Sequence, residues 1–441
     1  MINPFAPQLA RRHKIAVTGI AGGGKTVFLT SLLSHLIEHD PYHFAFGENA
    51  KVTDFREVKP TRRYGGVFRL EAYRDQLSRS QVWPAKSIDC AHYECHFDRS
   101  DWAWRRCRLH FFDLPGERVA DAAIVAHDDY AQWSDHVLGH LADRKDYAEA
   151  AEPLRAALRL ADLDAPRLVR AYKETLGRLI LGFKPLVTPS TFLLDAHGQP
   201  ARERTAAALA DARVCGLGDV GVDDAALLAE FAPMDGRARK RFPELVKVMI
   251  RHYRRYRREV AVPIFDELRG ADRLVVLVDV PSLLLGGDGR YNDNRQILLD
   301  LFEALRPGSL LGARLLALFG LRTWPLERVA FVAAKCDMVR PADVENGRLI
   351  HLLRSMTDRA RRLLPAVQCE WFAASACIST RPGTTPETLI GRPAHAPGDD
   401  PDAEVEFGVS ELPDTWPRHW KPGDYAFTRV LPQAPANLQI P

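Results

Sequence analysis

The chain has 441 residues, 46% of them hydrophobic, so it can bury a substantial core, and its length suggests two or three domains. Its 60 basic and 57 acidic side chains leave a formal charge of +3, too balanced to mark a specific nucleic-acid binder. Seven scattered cysteines without a Cys-x-x-Cys pair argue against a disulfide framework, and no run reaches the roughly 18 apolar residues of a spanning helix. A cytoplasmic protein, at most peripheral to a membrane, is expected.

In chain order, residues 13–39 read as strand, loop and helix: the apolar run KIAVTGI leads into glycines, and Phe28, Leu32, Leu33, Leu36 and Ile37 then recur near helical spacing. Gly19, Ile20, Ala21, Gly22, Gly23, Gly24, Lys25 and Thr26 fit G-x-x-x-x-G-K-[ST]. A loop that wraps phosphates must turn successive backbone N–H groups inward, and glycine permits both the dihedrals and the close approach. Lys25 is placed to reach the outer phosphates, Thr26 to give its hydroxyl to Mg2+, and Val27 to border the nucleotide where the helix dipole begins.

Residues 40–85 read as irregular and basic. Two β-like runs follow, AHYECHFD and WRRCRLHFFDLPG, as an antiparallel pair that leaves Asp113 at a strand's carboxyl end. Asp113 is a candidate Mg2+ ligand, and Gly116, three residues on, a candidate sensor of a γ-phosphate through its N–H. Cys90, His92, Cys95 and His96 look superficially like a zinc set, but strand alternation sends Cys95 to the opposite face. Glu117 follows Gly116 directly; a carboxylate there can take a proton from water but repels a γ-phosphate, which predicts slow turnover, and Arg118 is placed to offset that charge.

From 118 to 270 the pattern is largely helical, too long for a crossover of about 30 residues, and so predicts an inserted helical domain. Within it Arg251, Arg254, Arg255, Arg257 and Arg258 crowd one helix whose other face carries Leu245, Met249, Tyr253, Tyr256 and Val260. The α/β pattern resumes with strand 273–280, helix 293–306, strand 328–334, helix 343–363 and strand 369–375; the run 309–325 between them is amphipathic and read as core packing. The expected division is 1–117 and 271–380 for a split nucleotide-binding domain, 118–270 for the insertion, and 381–441 for a proline-rich tail with short strands.

The base is addressed by VAAKCDMV. Lys335 and Asp337 follow an apolar strand as in the [NT]-K-x-D element of GTPases, and a carboxylate accepts the N1 and N2 donors of guanine, whereas adenine presents an acceptor at N1. Ala334 stands where that element has Asn or Thr, which keeps an ATPase or ATP-dependent phosphotransferase open as the alternative. Lys335 is expected to lay its stem along the purine, and Ser375 with Ala376 to bring a backbone N–H to guanine O6.

The stretches AVTGIAGGGKTVFLTSL, RLEAYRDQLSRSQVWPAKSIDCAHY, FFDLPGE, RREVAVPIFDELRGADRLVVLVDV, AAKCD and SELPDTWP together resemble the translation-factor-related P-loop GTPases, and within them the YcjX-like family. The resemblance implies a Ras-like α/β P-loop fold carrying a large helical insertion, GTP/GDP and Mg2+ as ligands, and a nucleotide-dependent switch in a stress or envelope role with a membrane-protein or membrane-surface partner. It adds Ser87, where the family has Thr, as a switch residue meeting Mg2+ and the γ-phosphate, with Trp83 and Lys86 lining the same pocket. Lys25, Gly116 and Glu117 then form the catalytic set. A non-catalytic, nucleotide-gated scaffold for a membrane-associated partner is the second alternative, and the oligomeric state is left open.

Overall fold

The strands predicted near the two ends of the chain lie side by side in a computed structural model that describes residues 12–20, 22–38, 51–58, 65–84, 90–100, 106–181, 230–306, 326–394 and 403–433. In chain order these are β1 (Arg12–Gly19), α1 (Lys25–Glu38), β2 (Val52–Val58), β3 (Gly66–Val67), α2 (Leu70–Ser78), β4 (Ala91–Arg99) and β5 (Arg106–Asp113). A 3-10 turn (Gly116–Asp121) then leads to α3 (Ala122–Ala126), α4 (Tyr130–Ala142), α5 (Lys145–Ala150), α6 (Glu152–Arg159) and α7 (Ala165–Leu181). After residue 230 come α8 (Gly236–Arg241), α9 (Pro243–Tyr256), a π-helical turn (Arg257–Ala261) and α10 (Val262–Arg269). The chain returns to the sheet with β6 (Arg273–Val278), α11 (Val280–Leu285), α12 (Gly287–Leu305), β7 (Arg328–Ala334), α13 (Pro341–Glu345), α14 (Arg348–Arg362) and β8 (Gln368–Ala374). Finally β9 (Thr380–Pro382), β10 (Thr388–Gly391) and β11 (Val405–Gly408) make a small antiparallel sheet.

The main sheet runs β2-β4-β5-β1-β6-β7-β8, with β3 beside β4. β5, β1, β6, β7 and β8 are parallel, and β4 and β2 are antiparallel additions at one edge. Parallel strands covered on both faces read as near-continuous apolar runs, and β6 is one from Leu274 to Val278. Its side chains alternate: Leu274, Val276 and Val278 face one core and Leu277 the other. The first core holds α12 and runs without a break into the helical segment, from Ala16 and Phe112 through Trp133 to Tyr256. The second packs Leu29, Leu33 and Leu36 of α1 and Leu70 and Leu77's helix α2 against Val17, Phe111 and Val332.

Residues 40–85 are less irregular than their pattern suggests. VTDFREV forms β2 because an edge strand needs only one protected side, so its charged residues stay in water. The expected helix 343–363 is two helices, α13 and α14, separated at Gly347, whose φ of +72° suits glycine. The helix expected from 293 begins at Gly287 instead. The arginine-rich helix face is largely neutralised: Arg255 and Arg258 pair with Glu259, and Arg257 with Asp128, while Met249, Tyr253, Tyr256 and Val260 are buried as predicted. The run 309–325 lies outside the described residues.

Among the described residues no helix is long and apolar enough to cross a membrane, and no disulfide forms. The suspected zinc set dissolves as well: Cys90 and Cys95 are buried in opposite cores, and His92 hydrogen-bonds His110 across 2.8 Å instead.

Candidate functional site

Strand register places the phosphate loop and the candidate base-recognition loops on one edge. Gly19 is level with Leu277, Val278 with Ala333, and Ala334 with Ala374. The loops that follow β1, β6, β7 and β8 therefore leave the carboxyl end of the sheet side by side, where parallel α/β sheets bind ligands.

The phosphate loop is shaped by glycine. Gly19, Gly22 and Gly24 have φ of +147°, +83° and +78°, conformations that cost little only without a Cβ. A Cβ on Gly19 would overlap the Leu277 carbonyl oxygen, whereas at Gly22 and Gly24 it would project into open space. The first glycine thus lets the loop press on β6, and the other two keep its inner side clear, a cradle that fits a phosphate chain. The loop closes through the Gly23 N–H donating to Ile20 O at 3.0 Å, and α1 starts with Phe28 N–H donating to Gly24 O at 2.8 Å. Lys25 is buried, its Nζ 3.4 Å from Gly19 O and 3.3 Å from Ile20 O. Its ammonium therefore hangs over the loop. Thr26 is buried and Val27 half-buried on the first turn of α1.

Asp113 ends β5 level with Val17 of β1 and is fully buried. Gly116 opens the 3-10 turn, and Glu117 follows in it, although the Glu117 side chain lies outside the described residues, as do Ala21, Lys86 and Ser87. Arg118 is one of the largest fully buried side chains, so it belongs to the packed interior of that turn.

The candidate base-recognition loop that follows β7 is tightly constrained. Lys335 adopts a left-handed conformation, φ +60° and ψ +43°, which is uncommon for a long side chain and is a form of strain that gathers at functional loops. Its Nζ donates to Asp279 Oδ2 at 2.5 Å. Asp279 in turn caps α11, accepting from the Ser282 N–H at 3.0 Å and the Ser282 hydroxyl at 2.6 Å. Burial alone would raise the Asp279 carboxyl, but Lys335 and Ser282 outweigh it and hold it below the ordinary value.

Asp337 is gripped from three directions. The Ser375 hydroxyl donates to Oδ1 and accepts from the Asp337 N–H at 3.1 Å, the Ser379 N–H donates to Oδ2 at 2.8 Å, and the Thr380 hydroxyl donates to the Asp337 carbonyl. Burial pushes the Asp337 carboxyl up against the pull of these hydrogen bonds. Each oxygen keeps a further lone pair for a donor from a ligand. Ala334, where Asn or Thr was the alternative, is buried in the core and contributes no tether; the serines and threonine supply that restraint.

Comparison with known proteins agrees with this fold. The sequence profile of the YcjX-like family, DUF463, matches residues 13–203 and 217–440. The chain belongs to this family. Among curated proteins, the Ras-like GTPase YcjX of Shewanella oneidensis is similar: 24% identical over 415 residues, covering 85% of this chain and 79% of that protein. The mostly parallel sheet and its phosphate loop are accordingly those of a Ras-like P-loop α/β fold.

Three features of this YcjX-like chain were not visible in the motifs. Asp279 looks in sequence like a strand end, yet it anchors Lys335. Ser375, expected to contribute a backbone N–H together with Ala376, also orients Asp337 through its side chain; Ala376 is half-buried beside it. Trp83 hydrogen-bonds Val430 O in the tail at 2.8 Å. That stretch of tail is itself fastened to the base loop: Leu431 N–H donates to Arg392 O at 2.7 Å, and Cys377 Sγ lies 3.3 Å from Gln433 O. Trp83 thus joins the segment before β4 to the neighbourhood of Ser379, and its indole N–H is used in that link.

Proposed function

We propose that this protein is a GTP-binding switch that hydrolyses GTP slowly. The observation that carries the reading is the placement of the phosphate loop, after β1, on the same sheet edge as the Asp337–Ser375 pair, which follows β7 and β8 two and three strands away. Gly19, Gly22, Gly23, Gly24 and Lys25 would hold the phosphates, and Asp337 would accept from guanine N1 and N2. Mg2+ would be held by Thr26 and Asp113, with Ser87 as the further ligand suggested by family likeness; bound there, it would neutralise charge between the outer phosphates. Lys25 would stabilise charge on the transferred group, Gly116 would sense the γ-phosphate, and Glu117 would stand beside the attacking water, a poorer arrangement than glutamine.

The segment 118–270 would read the state of the site. Just past Gly116, the Tyr256 hydroxyl donates to Asp121 Oδ2 at 3.1 Å, the Tyr253 hydroxyl donates to His127 O at 2.6 Å, and Arg257 donates to Ile124 O and Val125 O, both at 3.2 Å. Any shift of the turn after Asp113 therefore pulls on α9, whose tyrosines belong to an aromatic cluster with Trp133 and Phe231. A stress or envelope role with a membrane-associated partner follows from family likeness.

Limited proteolysis and single-turnover kinetics test this reading. Cutting within 80–125 should differ between GDP and a non-hydrolysable GTP analogue, and bound GTP should turn over at about 10⁻⁴ to 10⁻² s⁻¹. Identical cutting in both states would remove the switch, and no hydrolysis at all would leave a nucleotide-gated scaffold.

A further inference from the structure

The helical segment contains a cavity of about 450 Å³ between α4, α6 and α8, lined by none of the candidate nucleotide-site residues. Its walls are apolar, with Leu138 and Leu141 from α4 and Leu158 from α6. Its charged lining is almost wholly cationic: Arg155 and Arg159 from α6 and Arg237 and Arg241 from α8, against the single carboxylate of Asp235. Helical spacing builds this arrangement, since 155, 158 and 159 fall on one face of α6.

The balance of charge is unusual. Asp235 is engaged in capping α8, accepting from the Ala238 N–H at 2.7 Å. Arg241 donates to Leu158 O at 2.8 Å and Leu160 O at 2.6 Å, which closes the end of α6. Arg155, Arg159 and Arg237 have no ion-pair partner among the described residues, although most other arginines of the helical segment do. Leu160, beside the rim, is 41% exposed. The cavity opens to solvent, with Leu141 and Leu158 buried at its floor and the four arginines exposed around its mouth; an apolar floor ringed by guanidinium groups is complementary to a molecule with an apolar body and an anionic end. Guanidinium forks match carboxylate and phosphate, and the volume is that of a small-molecule site.

We propose that this cavity binds one single-chain anionic amphiphile, its chain against Leu138, Leu141 and Leu158 and its carboxylate or phosphate on Arg155, Arg159 and Arg237. The chemistry is shared by a fatty acid and a lysophospholipid, and titration of the full-length GDP-loaded protein separates the two sources. Oleate, lysophosphatidylglycerol, zwitterionic lysophosphatidylcholine and inorganic phosphate are compared by native mass spectrometry and calorimetry. One oleate or one lysophosphatidylglycerol per chain is expected, whichever binds more tightly naming the source, with lysophosphatidylcholine and phosphate each at least about tenfold weaker.

The double variant Arg155→Glu/Arg237→Glu should weaken the anionic amphiphile at least about tenfold while GDP affinity and melting temperature hold. Arg159→Ala, at an exposed position, gives the same test with less risk to folding, and Leu158→Trp should block the chain by filling the cavity. Equal binding of lysophosphatidylcholine, phosphate binding as tight as the amphiphile, or undiminished binding in folded arginine variants would each overturn the proposal.

Discussion

Replacing Ser375 by alanine isolates the base-recognition loop from the rest of the site. The Ser375 hydroxyl makes two hydrogen bonds to Asp337, donating to Oδ1 and accepting from the backbone N–H at 3.1 Å. Ser375→Ala removes both, and the bond to the carboxylate is charge-assisted. The Ser379 N–H still holds Oδ2 at 2.8 Å, so the carboxylate is loosened rather than released. Both residues are half-buried, so water can replace part of what is lost. The expected cost to GDP binding is about 1–2 kcal/mol, a rise in Kd of roughly 5- to 30-fold. Titration of a fluorescent GDP analogue with Mg2+ reads the affinity, and a thermal melt shows whether folding is intact. ADP affinity should barely move, since adenine gains nothing from a well-oriented Asp337. A folded Ser375→Ala protein with GDP affinity within about twofold of the parent would refute the assigned role of this pair.

Gly19→Ala should lower the melting temperature and abolish nucleotide binding in titration, because its Cβ would overlap Leu277 O at a φ of +147°, a strain of about 1–3 kcal/mol before any repacking. Tyr256→Phe removes the hydrogen bond to Asp121 at about 1 kcal/mol, and the proteolytic difference between GDP and the GTP analogue should shrink while GDP affinity holds. The His136–Asp300 pair, 3.2 Å apart, should make stability depend on pH. Its hydrogen bond to Asp300, opposed by burial, raises the His136 pKa above 6.5, so its contribution is complete below that value and is lost as pH rises through the folded-state pKa. Asp300→Asn should therefore lower the melting temperature more at pH 5.5 than at pH 8.5, a difference of about 1–2 kcal/mol. His127, its ring centroid 4.9 Å away, is shifted down by burial and by the neighbouring His136, and works against this trend.

The phosphate loop, Asp113 and the Lys335–Asp337 pair were legible because each is a short motif attached to a strand with an unmistakable apolar run. Their chemistry is local. What supports them is not: Asp279 lies 56 residues from Lys335, Ser379 lies 42 from Asp337, and Trp83 reaches across 347 residues to Val430. No periodicity carries such pairings, which arise only when the sheet sets its register. β2 was obscured for a different reason, since an edge strand with charges on its open side lacks the apolar signature of β6. The tail was expected only as a proline-rich stretch with short strands. Its contacts are specific: the Trp416 indole donates to Leu352 O and the Trp420 indole to Leu284 O, at 2.8 and 2.9 Å.

The central claim is that this site selects guanine through Asp337, and competition for the site tests it most directly. Labelled GDP bound in the presence of Mg2+ is displaced with unlabelled GTP and with ATP in parallel. GTP should displace it at a concentration at least about a hundredfold lower than ATP, as expected when buried hydrogen-bonding groups must be matched. Displacement by ATP at the same concentration as GTP would contradict the account.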